Sequence, residues 1–361
     1  MLLNQIIKYI IAFGVLIGGA DRILGNKFGF GEKFESGFRL LGNIGLSMAG
    51  IICLAPLLSS AMEGAVVPLC DKLGMDPSIF GSVLSIDMGG YQLAQNLAKD
   101  TVLGQLSIFA ISSTFGCTIV FTIPMGLGTI EPEDRPWFTK GILLGFAAMP
   151  IAILSGGLVL GLRIGAILWN SLPILLIAAL LFLGILRWPD AMMKGFRVFA
   201  RIIQIIGTLG LTVAAVKHIC GLELVPGMPA LMDAMQTVCS IGITMLGCMP
   251  LAELMRRLLK TPCAWVQEKT GLNSVSTTAL LLGMVSVSPS LAMIPEMDKR
   301  GKVVCSACVV CGASVFGSHL AFTMNAEPDM VPVLFAAKFL GGVLGAVIAL
   351  AATRDLKSAE A

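Results

Sequence analysis

Charged side chains are scarce in this sequence. Only 13% of its 361 residues are Asp, Glu, Lys or Arg, whereas soluble domains carry about 25%. Histidine is limited to His218 and His319, and neither a phosphate-binding loop nor a zinc-ligand pattern occurs. These deficits argue against a soluble enzyme, and they predict no catalytic residues and no cofactor. The net charge of +3 is too small to indicate nucleic-acid binding.

Apolar residues replace the missing charge. They make up 56% of the chain, and the mean hydropathy is +0.89. A hydrocarbon core about 30 Å thick needs roughly 20 apolar residues per helix. Nine stretches suit this length: 5–24, 38–60, 104–128, 138–163, 166–187, 197–220, 231–255, 302–325 and 330–353. Two more, 64–98 and 261–295, are interrupted by polar residues, glycine or proline. We therefore predict an all-α integral membrane protein with about nine transmembrane helices and two re-entrant or broken elements.

The two halves of the chain repeat one another. Corresponding motifs follow in the same order: 44–50 matches 241–247, Phe115-Gly116 matches Phe316-Gly317, and Glu131-Pro132-Glu133 matches Glu327-Pro328-Asp329. The predicted organisation is a membrane repeat at 1–163, a connecting helix and loop at 164–196, a second repeat at 197–353 and a tail at 354–361. Segment 5–24 resembles a signal peptide, but its counterpart 202–221 lies in mid-chain, so we predict a retained span.

Lysine and arginine are distributed asymmetrically if 64–98 and 261–295 each enter and leave the membrane on one side. One face then keeps only five of them: Lys8, Lys72, Lys99, Arg163 and Lys217. The positive-inside rule assigns the other, basic face to the cytoplasm, with the N-terminus outside and the C-terminus inside. Five spans then separate the starts of the two repeats. Because five is odd, the repeats are inverted, an arrangement typical of secondary transporters.

Asp87 is the strongest candidate for binding a solute. It lies in the first interrupted element, Ser85-Ile86-Asp87-Met88-Gly89-Gly90-Tyr91-Gln92. A carboxylate at bilayer depth costs roughly 3 kcal/mol and is functional by default. The glycine pair allows the helix to unwind and expose carbonyls, which together with Asp87 favour a cation. Tyr91 offers an aromatic face for an ammonium group. The alternative is that Asp87 pairs with Lys338 or His319.

The second interrupted element offers hydroxyl groups. Ser288 occupies the position that matches Asp87, and Ser290 follows it after Pro289. Proline frees a carbonyl there, and both hydroxyls donate and accept hydrogen bonds. A carboxylate facing hydroxyls suits a solute with one positive and one hydroxyl end. Hydrogen bonds between helices are an equally good explanation for these serines.

Three more residues are candidates for ion coupling or for the solute pathway. His319 occupies the place of Thr118 in the repeat and either relays protons or packs with one nitrogen satisfied. Lys338 either snorkels to the membrane surface or acts as a counter-ion.

Two conspicuous patterns have simpler explanations. Cys305, Cys308 and Cys311 recur every three residues, but they lack a fourth ligand and polar neighbours, so we predict packing residues and no metal site. The segments around Pro132 and Pro328 read as helix starts with acidic residues in the first turn.

Eight short motifs carry a family resemblance: Ala20-Asp21-Arg22-Ile23-Leu24, Asp87-Met88-Gly89-Gly90, Thr118-Ile119-Val120-Phe121, Ile130-Glu131-Pro132, Asp134-Arg135, Met297-Asp298, Arg300-Gly301-Lys302-Val303 and His319-Leu320. Through them the chain resembles, over almost its whole length, the ethanolamine permease family found with bacterial ethanolamine-utilisation systems. The resemblance implies uptake of ethanolamine across the bacterial inner membrane and its deamination by a separate cytoplasmic lyase. Ethanolamine carries an ammonium and a hydroxyl, which the pairing of Asp87 with Ser288 would accept.

Other functions stay open from the sequence. The first is a Na⁺- or H⁺-coupled transporter of another small polar solute, in which Asp87 binds the ion. The second is a membrane scaffold or receptor that transports nothing, which the near absence of extramembrane sequence disfavours. Gly341-Gly342 and Gly345 allow a close helix contact within one chain or between copies, so a homo-oligomer is also open.

Overall fold

The computed structural model describes residues 2–258 and 260–357, and every regular element in these ranges is helical. This confirms the predicted all-α fold. The helices are α1 (Leu2–Ile23), α2 (Phe30–Leu73), α3 (Ser78–Gly81), α4 (Tyr91–Leu97), α5 (Thr101–Thr129), α6 (Arg135–Val159), α7 (Ile164–Arg187), α8 (Pro189–Cys220), α9 (Leu231–Leu258), α10 (Lys260–Thr270), α11 (Ser274–Val285), α12 (Val287–Ala292), α13 (Lys299–Gly312), α14 (Ser318–Ala326), α15 (Pro328–Ala352) and α16 (Arg354–Lys357).

Within the described residues, seven helices are long and apolar enough to cross a membrane. They correspond to seven of the predicted stretches and comprise the Met48–Leu73 part of α2 together with α5, α6, α7, α8, α9 and α15. Helix α1 covers the predicted stretch 5–24 and, at 22 residues, has the length of a span. The chain is therefore an all-helical membrane protein.

The predicted span 302–325 is not one continuous helix. Residues 313–317 are non-helical and divide it into α13 and α14. Ser314 has a left-handed φ of 56°, and the N–H groups of Ser314 and Phe316 donate to the carbonyls of Gly283 and Met284 at the end of α11. The end of α11 thus satisfies backbone groups that the break exposes, as buried non-helical backbone requires.

The first interrupted element begins later than the sequence predicted. Helix α2 runs without a break through the predicted start at residue 64 and ends only at Leu73, despite prolines at 56 and 68. Gly74 ends it, because its φ of 64° is the left-handed conformation of a helix C-cap.

A carboxylate ties together the two ends of each interrupted element. In residues 76–100, which we call the first hairpin, Asp76 accepts hydrogen bonds from the N–H groups of Lys99 and Asp100 at 3.0 and 2.8 Å. In residues 273–298, the second hairpin, Asp298 accepts from the Asn273 N–H at 3.0 Å and from the Ser276 hydroxyl at 2.7 Å. The two ends of each segment therefore lie beside each other.

Six of the contacts between the loops and helix ends that connect the long helices fall into two sets. Three link residues that the sequence places on the basic face: Lys302 with Asp134, Arg257 with the Phe28 carbonyl, and Arg300 with the Thr270 carbonyl. Three link residues of the opposite face: Lys99 with Asp71, Trp169 with the Leu73 carbonyl, and the Asp76 N–H with Asn170. Helix α5 runs from the second set, at Thr101, to the first, at Thr129.

Glycines bring helices into backbone contact in two separate groups. In the first group, α1, α2, α8 and α9, a Cβ on Gly50 of α2 would overlap the Gly207 carbonyl of α8, and one on Gly14 of α1 the Gly247 carbonyl of α9. In the second group, α6, α13 and α15, a Cβ on Gly345 of α15 would overlap the Ala307 carbonyl of α13. Small residues serve this close approach in membranes.

Candidate functional site

The first hairpin is unwound around Asp87. Between α3 and α4 the backbone is extended at Ser85, with φ −65° and ψ 145°, and non-helical at Met88 and Gly89. Gly89 has a φ of 89°, a left-handed value that other residues rarely adopt. A Cβ at this position would also meet Ile51 of α2. The glycine therefore permits both the turn and the close approach of α2.

The Asp87 carboxylate links the unwound hairpin to α14. Its Oδ1 accepts a hydrogen bond from the Ser85 hydroxyl at 2.7 Å, and its Oδ2 accepts from the Ser318 hydroxyl at 3.0 Å. His319 Nε2 lies 3.4 Å from Oδ1. Because Ser318 begins α14, the carboxylate also faces the positive end of a helix dipole, which stabilises an anion.

Unpaired polar atoms lie on α14 beside this carboxylate. His319 is 1% exposed, and in the described part of the chain its Nδ1 has no hydrogen-bond partner. One turn further along, the buried Thr323 Oγ1 also lacks one within the same residues. Residues four apart share a helix face, and buried polar atoms are normally paired. This face of α14 can therefore accept a bond from, or donate one to, a small polar solute.

Tyr91 lies between Asp87 and the end of the first hairpin at which residues 76 and 100 meet. Its ring packs edge-on against Phe109 and Phe322, with centroids 6.2 and 5.3 Å away, and its hydroxyl donates to Glu327 Oε1 at 3.2 Å. Gln105 donates to Glu327 Oε2 at 3.0 Å. The sequence predicted Glu327 only as part of a helix start, but it connects the hairpin with α5 and α14.

Lys338 and Thr118 bond to backbone carbonyls. Lys338 is 0% exposed and donates to the carbonyl of Ser113. Both Ser113 and Lys338 belong to π-helical stretches, 106–116 and 336–340, which are frequent at functional sites. Thr118 donates to the carbonyls of Thr114 and Val310.

The serines of the second hairpin lie elsewhere. Ser288 is exposed on α12, and Ser290 donates to the Ala279 carbonyl at 2.8 Å. Helix α12 packs against α11, α13 and the end of α5, whereas the Asp87 segment packs against α2, α4, α5 and α14. Within the residues the structure describes, the partners of Asp87 come from the first hairpin and α14. Gln92 adjoins Tyr91, and its buried Oε1 has no partner in that same part of the chain.

The three cysteines of α13 are buried thiols, with exposed fractions of 2, 0 and 0% at Cys305, Cys308 and Cys311. Among the described residues, no group of three or more His, Cys, Asp or Glu side chains could hold a metal ion.

Comparisons with known proteins extend over the whole chain. A family described as "Ethanolamine utilisation protein, EutH" matches residues 3–352. A Listeria monocytogenes protein named "Probable ethanolamine permease EutH" is 36% identical, covering 100% of this chain and 97% of its own length. An Escherichia coli protein of the same name is 34% identical, over 96% of this chain and 95% of its own. A Bacillus subtilis protein named "Uncharacterized protein YxeR" is 38% identical over 97% and 95%. No solved structure matches the chain significantly.

Proposed function

This chain belongs to the family of the ethanolamine utilisation protein EutH, and from that premise we propose that it is an ethanolamine permease of the bacterial inner membrane. Two of the relatives are named as probable permeases for this solute. The seven long apolar helices support a transporter. We propose no enzymatic activity, and transport proceeds by alternating access.

The Asp87 carboxylate is the observation that carries the proposal. It lies on unwound backbone and binds hydroxyl groups from two different parts of the chain, Ser85 and Ser318. An ammonium ion that displaces one of these hydroxyls forms a hydrogen bond in which both partners are charged, and it neutralises the buried carboxylate, which a hydroxyl cannot do. Ethanolamine brings such an ammonium.

The hydroxyl end of ethanolamine requires a second polar contact. His319 Nδ1 and Thr323 Oγ1 lie on the α14 face next to Asp87 and are unpaired within the described residues. We propose that the solute hydroxyl bonds to this face while the ammonium stays at Asp87. A role for Ser288 and Ser290 in binding stays a prediction.

We propose that Tyr91 closes the path of the solute between Asp87 and the end of the first hairpin at which residues 76 and 100 meet. Its ring packs between Phe109 and Phe322, and its hydroxyl is held by Glu327. An arriving ammonium can attract the Glu327 carboxylate and release the hydroxyl. Glu327 is thus the outer carboxylate on the same route.

The proposed topology has two inverted repeats, 1–163 and 197–353, with both hairpins re-entrant. The proximity of the two ends of each hairpin supports it, as does the division of the contacts between loops and helix ends into two sets. The set with Lys302, Arg257 and Arg300 carries most of the basic residues, so the positive-inside rule assigns it to the cytoplasm. The N-terminus is then outside and the C-terminus inside.

Thiol labelling separates this topology from one in which the first hairpin crosses. Lys72 and Glu133 are exposed and flank the first hairpin and α5. We expect Lys72→Cys to react with an impermeant reagent only from outside and Glu133→Cys only from the cytoplasm. Cys220 and Cys239, which are exposed, are replaced by serine in both variants, together with Cys263. Labelling of the two positions from the same side would contradict re-entry.

Uptake by the purified protein tests the function. We expect proteoliposomes to take up labelled ethanolamine faster than protein-free vesicles. Unlabelled propylamine, which keeps the ammonium, should compete, whereas ethylene glycol, which keeps only hydroxyls, should not, because Asp87 binds the charged end. The proposal is wrong if the purified protein moves no ethanolamine.

Ion-coupled transport of another small polar solute is the second candidate. The 3.4 Å approach of His319 to Asp87 favours it, because histidine beside a carboxylate can bind and release protons near neutral pH. Accumulation of solute that stops when the proton or sodium gradient is dissipated would support coupling, whereas equilibration that ignores both gradients would support facilitation.

A further inference from the structure

A cavity of about 650 Å³ lies far from Asp87, where α6 begins, α7 ends and α8 begins. These helix ends belong to the face that we assign to the cytoplasm. Helices α7 and α8 are mostly exposed along their apolar windows, which are only 28 and 17% buried. The cavity therefore opens at the lipid-facing edge of the protein, beside the headgroups.

The cavity is strongly basic. Its lining includes Arg135, Lys140, Lys194 and Arg197 against one acid, Asp190. Across residues 2–258 and 260–357, none of these four cations is in an ion pair with a carboxylate. The N-terminal ends of α6, at Arg135, and α8, at Pro189, add partial positive charge from their dipoles. The positive charge of the cavity therefore favours an anion, and among the described residues no carboxylate forms an ion pair with these four cations.

The deeper wall of the cavity is apolar. Leu127, Leu143, Ile185 and Met193 line it. Trp188, between α7 and α8, is 63% exposed, and tryptophan is enriched at the level of lipid headgroups. A free phosphate ion would gain nothing from such a wall, whereas an acyl chain would bury apolar surface against it.

We propose that this cavity binds an anionic phospholipid, with the headgroup phosphate among Lys194, Arg197 and Arg135 and the start of one acyl chain along the apolar wall. Basic pockets between transmembrane helices on the cytoplasmic side have this chemistry. The site lies where the start of α6, the end of α7 and the start of α8 meet. A lipid bound there would contact all three helices.

Lipid titration of the purified protein tests the proposal. Thermal unfolding in mild detergent is followed while phosphatidylglycerol, phosphatidylcholine with the same chains, or glycerol 3-phosphate is added. We expect phosphatidylglycerol to raise the melting temperature by several degrees, because a ligand of the native state stabilises it. Neither of the other two compounds should do so, since one lacks the net charge and the other the chains.

Two matched double variants locate the site. Lys194 and Arg197 are exposed, and Lys194→Gln/Arg197→Gln should weaken the apparent affinity for phosphatidylglycerol about 30-fold, which corresponds to about 1 kcal/mol for each removed cation. Lys8→Gln/Arg163→Gln, which removes two exposed cations from the opposite face, should leave it unchanged. Lys194→Arg/Arg197→Lys keeps the charges and should retain the affinity.

Three results would overturn the proposal. Equal stabilisation by phosphatidylcholine would remove the role of charge, and equal stabilisation by glycerol 3-phosphate would indicate a site for free anions. Equal weakening by the two glutamine variants would indicate unspecific attraction to the whole surface. The titration of the unaltered protein decides the first two points without any variant, and none of these results depends on ethanolamine transport.

Discussion

Asp87→Asn is expected to lower ethanolamine uptake at low solute concentration by about 100-fold. The substitution keeps the shape of the side chain but removes the charge that attracts the ammonium. A hydrogen bond to a charged group contributes about 1.5–3 kcal/mol, and 3 kcal/mol corresponds to a factor of roughly 150 in affinity. Initial rates of labelled uptake into proteoliposomes measure the effect.

The Asp87 result needs a control for charge and a control for folding. Asp233→Asn removes an exposed carboxylate from α9 and should transport at the unaltered rate. Asp87→Asn should elute as a monodisperse protein, and added ethanolamine should no longer raise its melting temperature. Normal uptake and unchanged affinity in Asp87→Asn would disprove the cation site while leaving the permease function standing.

Asp76→Ala is expected to destabilise the folded protein by about 3 kcal/mol or more. Asp76 is 5% exposed, and its carboxylate accepts hydrogen bonds from the N–H groups of Ser78, Lys99 and Asp100 at 2.9, 3.0 and 2.8 Å. The substitution leaves the Ser78 N–H unpaired in a buried site and the Lys99 and Asp100 N–H groups unpaired in partly buried ones. The cost is about 1–3 kcal/mol for a fully buried group and less for the other two. Chemical denaturation in detergent measures the loss.

Asp71→Ala is the matched control for this prediction. Asp71 pairs with Lys99 at 2.6 Å, but the two side chains are 54 and 50% exposed, so its loss should cost less than about 1 kcal/mol. Asp298→Ala should resemble Asp76→Ala, because Asp298 ties the second hairpin in the same way. Equal effects of Asp76→Ala and Asp71→Ala would show that the hydrogen bonds of Asp76 to the hairpin ends add no more to the free energy of unfolding than an exposed ion pair does.

The sequence predicted most of the helices because hydropathy acts locally. The stretches 166–187 and 231–255 correspond closely to α7 and α9, since their boundaries depend on runs of neighbouring residues. The break at 313–317 escaped prediction because it depends on the end of α11, some thirty residues away, accepting the freed N–H groups. No pattern within 302–325 indicates that partner.

Only some residues of the candidate site could be named from the sequence. Asp87, a carboxylate just before two glycines in an apolar stretch, could be selected as a candidate from the sequence alone. Its partner Ser318, which lies 231 residues further along the chain, was not, because the aligned repeats pair Asp87 with Ser288 instead. His319 was considered as a counter-charge and lies 3.4 Å from Asp87. Glu327 was interpreted as a helix start because its contact with Tyr91 depends on the tertiary fold.

The two glycine-packed helix groups have a mechanical consequence. The helix backbones touch at Gly50 and Gly207 in one group and at Gly345 and Ala307 in the other. Because no side chains separate the helices there, we expect the helices of each group to move together. The first hairpin packs against α2 and α5, whereas α14 packs against α9 of the first group and α15 of the second, so a shift of one group against the other must change the contacts of α14. A solute bound at Asp87, whose carboxylate contacts Ser318 of α14, would therefore act on the helix that lies between the two groups.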